Sequence, residues 1–160
     1  MSCSKGVGPQ VFISGVRDTL GVEVSQAQWH AMKELAREEV YESHYAELVD
    51  IYGGDVTAEE LAAMATESAS EQMGKSRQPE ILVEGLANEF ADRLGMEAEN
   101  STPQSRRELR RRLIRDSKQV GVTAGTARIV RFMARRGVGE SLRLANDRIT
   151  GGEVDFDVVE

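Results

Sequence analysis

Apolar residues recur along this chain at intervals of three and four, and glycine or proline interrupts them often enough to mark off seven helical segments. The first runs from about Pro9 to Leu20 with Phe12, Val16 and Leu20 on one face; a short strand through Val11–Ile13 is the alternative. The second opens at Ser25-Gln26-Ala27-Gln28, where hydroxyl and amide can each satisfy an orphan backbone N–H as a capping box. Val24 and Trp29 are spaced to staple that turn, and Gly53-Gly54 ends the helix after Tyr52. Its apolar side is Trp29, Met32, Leu35, Ala36, Val40, Leu48 and Ile51. At about 1.5 Å per residue it is roughly 40 Å long, enough to organise the others.

Thr57-Ala58-Glu59-Glu60 repeats the capping box, with Val56 and Leu61 as its staple, and opens a third helix that fades near Met73-Gly74. The fourth starts at Pro79, carries Leu82, Leu86, Phe90 and Leu94 at intervals of four, and stops at Gly95. Met96–Ser101 is a polar connection. Thr102-Pro103 then caps a fifth helix whose narrow apolar face is Leu109, Leu113 and Val120, broken by Gly121. The sixth runs from about Gly125 to Arg136 and the seventh from about Gly139 to Ile149, stopping at Gly137 and at Gly151-Gly152. The pattern predicts an all-α protein: an acidic helical bundle over residues 1–101, a basic three-helix unit over 102–150, and an acidic tail over 151–160.

Charge is what sets the second unit apart. Residues 103–148 hold 13 of the 20 Lys/Arg and 4 of the 27 Asp/Glu, whereas residues 1–102 hold 7 basic and 19 acidic residues. Sorting of this kind points to a charged partner for one part of the chain. Other features narrow the classes. No apolar run approaches the roughly 18 residues a membrane span needs. The first residues do not read as a secretory signal, and Cys3, the lone cysteine, permits no intrachain disulfide. These features favour the cytoplasm. No nucleophile elbow, kinase signature, zincin motif or phosphate loop is present, and Gly6 and Gly8 lack the Lys-Ser/Thr a phosphate loop requires, so no enzyme and no cofactor is expected.

Within the basic unit, Leu113–Met133 reads LIRDSKQVGVTAGTARIVRFM. Ser117 is small where two helices would cross, Gly121 sits at the turn, and Val122 follows as a small apolar plug. Thr126, Ala127 and Val130 then supply a hydroxyl and an inward face. The segment resembles the helix-turn-helix DNA-binding superfamily. That resemblance implies a transcriptional regulator binding duplex DNA as a homodimer, since one small unit gains specificity from two half-sites. Arg128, Arg131 and Arg135 share one face of the sixth helix and would read the groove with Thr123. Arg106, Arg107, Arg110 and Arg111 would hold phosphates. Asp116 departs from the pattern, standing where an apolar residue is expected; it must pair with an Arg or the alignment fails. Ile129 and Phe132 also lie near the side that would face DNA.

The alternative is a helical adaptor or inhibitor that binds a protein partner through the acidic surface of residues 1–101, with carboxylates such as Glu34, Glu38 and Glu59 as its determinants. His30, Glu34 and Glu38 follow one another by a helical turn, but no second ligand cluster completes a metal site, and such ladders are usually solvated. His44, beside Tyr41 and Tyr45, reads as a packing or surface residue. The tail Glu153–Glu160 reads as a frayed end, an acidic segment folding back over the arginines, or a strand presenting Val154, Phe156 and Val158 to a partner.

Overall fold

Ser25 with Gln28, Thr57 with Glu60 and Thr102 with Ser105 all close reciprocal capping boxes, so three helix starts are fixed by local chemistry alone. The computed structural model describes the backbone of residues 7–159 and the side chains of residues 8–151. Seven helices follow in order: α1 Val7–Leu20, α2 Gln26–Tyr52, α3 Ala58–Gln72, α4 Glu80–Glu97, α5 Pro103–Val120, α6 Ala124–Arg136 and α7 Val138–Val159. Among the described residues there is no strand, and Val11–Ile13 is helical. Cys3 and Gly6 lie outside the described residues, as do the side chains of the acidic tail.

The core is built around α6, which packs on α4, α2 and α7 and also reaches α1 and α3. Nine of its thirteen residues are buried. Phe12 of α1 meets Phe90 of α4 edge to face, with ring centroids 5.5 Å apart. Met32 of α2, Leu94 of α4, Leu113 of α5 and Met133 of α6 are fully enclosed. Each such side chain contributes about 1.5–3 kcal/mol by leaving water. One buried cluster runs from Phe12 to Ala145 and crosses the predicted boundary at residue 101. The acidic bundle and the basic three-helix unit are therefore not packed as separate modules. α5 pairs antiparallel with α4, and α6 and α7 complete the bundle that α1, α2 and α4 begin.

Two predicted helix stops are passed. α4 continues through Gly95 to Glu97, because Gly95 is a point of close approach: a Cβ there would lie 2.9 Å from Arg106. α7 continues through Gly151-Gly152, since glycine weakens a helix by about 1 kcal/mol without ending it. The tail backbone is thus helical to Val159, in place of the strand alternative. The end of α4 also clamps the α6–α7 turn. Arg93 donates to the Ala134 and Arg135 carbonyls, and Glu97 accepts from the Val138 and Gly139 amides.

One part stands away from this core. α2 buries Ala31, Met32, Ala36 and Val40, then nothing over its last twelve residues. Among the described residues that outer end packs on α3, which faces it with Leu61, Ala65 and Ala69. His44 ties the two together, its ring nitrogens 3.1 Å from Ser68 Oγ and Nε2 2.5 Å from Gln72 Nε2. Of the packing and surface readings of His44, the structure shows a half-buried ring hydrogen-bonded between the two helices. The pair forms an arm rooted on α6, where the Gly125 amide donates to the Gly74 carbonyl. Ile51, expected on the apolar side of α2, and Leu82, expected on that of α4, are both exposed. The buried face of α4 uses Val83 and Ala87 instead.

Candidate functional site

The helix-turn-helix-like segment spans the end of α5, the turn at Gly121 and most of α6. Gly121 has φ of 82°, Val122 is buried and Ser117 is enclosed. Thr123 accepts the Thr126 amide through Oγ1, so it caps α6 and is not aimed outward. Asp116 is partly exposed, 3.1 Å from Arg115 and 4.0 Å from Arg112. Its charge is thereby paired. Ile129 and Phe132, which the pattern places near the side that would face DNA, are buried.

Arg128 and Arg135 of α6 point into the root of the arm. Arg128 is half-buried and hydrogen-bonded to Gln72, and with Arg135 it lines a cleft of about 310 Å³ shared with Glu39, His44 and Glu47. Burial, followed by the like charges of Arg131 and Arg135, lowers the Arg128 pKa from its ordinary value. Arg131 is half-buried. Arg135 lies 3.9 Å from Glu39, which also holds Arg136, and the Arg136 guanidinium lies 3.7 Å over the Phe132 ring. These long side chains leave the core along apolar stems and end in neighbouring polar groups.

On α5 the arginines divide. Arg106 donates to Ser101 Oγ at 2.8 Å and to the Gly95 carbonyl, and Arg110 bridges Asp92 at 2.9 Å. Arg112 bridges Asp18 of α1 at 2.7 Å, and Lys118 bridges Glu84 at 3.1 Å. The Arg112 guanidinium, with help from Arg17, holds the Asp18 carboxyl below its usual range. Arg107 and Arg111 alone are exposed with no carboxylate or hydrogen-bond partner among the described residues. With Arg115 they line one stripe of the outer face, and Glu108 interrupts it. Of the eight residues predicted to contact DNA, these two are open, Arg135 is exposed beside Glu39, and the others are engaged within the fold or half-buried. Arg112, Arg115, Lys118 and Arg136 were not among the sequence candidates, although α5 and α6 periodicity placed them beside those that were.

The second charged surface is the arm. Residues 41–72 carry eight acidic residues and no Lys or Arg. All eight are exposed, and none has a cationic partner among the described residues. Glu60 is held below its usual pKa by the Thr57 backbone N–H and hydroxyl. By contrast Glu34 is paired with Arg37 and His30, and Glu38 with Arg148. Among the suggested acidic determinants only Glu59 lies on the open arm. Its end also exposes apolar side chains: Ile51 at 67%, with Val49, Tyr52 and Met64. The absence of any Lys or Arg between Glu38 and Gly74 was legible in the sequence; the arm's projection from the core was not.

A larger open cavity of about 740 Å³ lies between the ends of α1, α4, α5 and α7. The Asp18–Arg112 pair and the capping Glu97 on its walls are already occupied. No helix among the described residues is long and apolar enough to cross a membrane. No protein family, curated protein or solved structure matches this chain, so the helix-turn-helix likeness rests on residues 113–133 alone.

Proposed function

We propose that this protein is a helical adaptor or inhibitor whose acidic α2–α3 arm binds a basic surface on a protein partner. The observation that carries this reading is the imbalance of pairing. The basic half spends most of its cations on the fold, while the eight carboxylates of residues 41–72 have no cationic partner among the described residues. Unpaired like charges on one projecting element repel one another, and a cationic partner relieves that repulsion. Exposed apolar residues at the arm's end add area that a protein surface can bury.

A second reading is retained because Arg107 and Arg111 are open. They supply the kind of phosphate contact that non-specific duplex DNA binding needs, through α5 and not through α6. Fluorescence anisotropy separates the two. A labelled Lys/Arg-rich peptide and a labelled random duplex are titrated with the protein across a salt series. The arm reading expects the peptide to bind with an affinity that falls with salt, and to be lost in Glu59→Gln/Glu67→Gln/Glu71→Gln. Binding of the duplex alone, abolished by Arg107→Ala/Arg111→Ala, would overturn it in favour of DNA.

A further inference from the structure

The arm has a counterpart on the same molecule that it does not touch as a principal packing partner: α5 packs on α4 and α1, whereas α3 leans on α2 and α6. The Glu84–Lys118 and Asp92–Arg110 bridges fix the register of the antiparallel α4–α5 pair. Lys118 therefore stands beside the first turns of α4, where Ile81 is 79% exposed and Leu82 is 49% exposed. Arg77 donates to the Val120 carbonyl and so joins the same end. Gly85 faces open space one turn beyond Ile81 and keeps the patch flat. Glu80 and Glu84 also lie here, the latter neutralised by Lys118. From this end a stripe of Arg115, bridged to its neighbour Asp116, and the open Arg111 and Arg107 runs back along α5 for about 12 Å.

This surface is apolar at one end and cationic along its length. The arm is apolar at its end and anionic along its length. We propose that the arm of one copy docks on the α4–α5 surface of a second copy, head to tail. Ile51 and Tyr52 would cover Ile81 and Leu82, and the arm's carboxylates would lie on Arg107, Arg111 and Arg115. The inference rests on the reading of the arm as a docking element and names its partner as this same chain. Because donor and acceptor are different surfaces, the contact is heterologous: each copy keeps one free arm and one free acceptor, and the assembly extends or closes into a ring. It also places the arm over the two α5 arginines that are open among the described residues, so self-association and polyanion binding exclude each other.

Sedimentation velocity on the full chain tests this at low and high salt, with Ile51→Ser/Tyr52→Ser as the arm variant and Ile81→Ser/Leu82→Ser as the acceptor variant. All four positions are exposed, so both variants are expected to fold. The wild type should form species heavier than the 17.6 kDa monomer, losing mass as salt rises. Each variant alone should stay monomeric, and their equimolar mixture should give dimers and nothing larger, since one intact arm meets one intact acceptor. A wild type that is monomeric at every salt concentration overturns the self-docking, as does a mixture that fails to dimerise. If the arm still binds the cationic peptide in that case, the adaptor reading survives and only its partner changes; loss of both removes the two together.

Discussion

α6 and the outer end of the arm differ in what surrounds them. Every apolar residue of α6, from Ala124 through Ala134, is buried, whereas Val49, Ile51, Tyr52 and Met64 of the arm are exposed. The charges follow. The α6 arginines lie along the arm's root, where Arg128 meets Gln72 and Arg135 and Arg136 meet Glu39. The acids beyond that root lack cations among the described residues. A charged side chain beside a packed core tends to be spent on the fold; one on a thin two-helix projection stays available for a partner.

The largest break in this contrast should come from truncating the centre. Phe132→Ala removes an enclosed ring from α6 and the platform under the Arg136 guanidinium. A loss of about 3–5 kcal/mol is expected by urea unfolding. Ile51→Ala should stay within about 0.5 kcal/mol of wild type. Equal losses at the two positions would mean that the arm's end is covered and not free.

The junction between the regions comes next. A Cβ on Gly125 would lie 2.5 Å from the Met73 carbonyl oxygen, a backbone atom that cannot rotate away. Gly125→Ala should therefore cost about 1–3 kcal/mol by forcing α3 off α6. Hydrogen exchange gives the sharper readout. Amides of α3 should lose more protection than those of α4, because the α6 contact at Gly125 roots the α2–α3 pair and α4 packs elsewhere on α5, α6 and α1. Uniform loss through both helices would show that the arm opens only with the whole bundle.

Much of the helical frame was legible because caps are local. Ser25, Thr57 and Thr102 announce their helices within four residues, and Gly121 and Gly137 end theirs with positive φ. What was not legible depended on neighbours distant in sequence. Gly95 looks like a stop until Arg106 is seen against it. Ile51 and Leu82 match the apolar periodicity of their helices, yet nothing covers them. The arginine face of α6 was found correctly as a face; only the fold puts Gln72 and Glu39 in front of it. Spacing reports which side chains share a side of a helix, and packing decides what that side meets.

A smaller effect comes from a paired acid of the fold as pH falls. Arg112 lowers the Asp18 pKa from its ordinary 3.8, tying α1 to α5. A carboxyl whose folded pKa lies below its unfolded value stabilises the fold fully above that unfolded value, and the contribution fades as pH falls through the folded one. Wild type should therefore lose stability relative to Asp18→Asn from about pH 5 downward. Denaturant midpoints measured at successive pH values check this. Parallel pH profiles would show that the pair contributes nothing, as exposed bridges sometimes do.

The smallest effect on stability belongs to Arg107→Ala/Arg111→Ala, and it tests whether the open arginines are as idle in the fold as they look. Neither side chain has a partner among the described residues. Alanine is also the better helix former, so the double variant should unfold within about 0.5 kcal/mol of wild type. Any change must then appear in association. Removing two cations from the α5 stripe should weaken salt-sensitive contact with an anionic surface, whether a duplex or another copy's arm, and leave binding of a cationic peptide to the variant's own arm untouched. Lost stability would place these arginines with Arg110 and Arg112 as struts. Unchanged stability with unchanged association would leave the stripe a solvated face, and the arm would be the only surface with a partner to find.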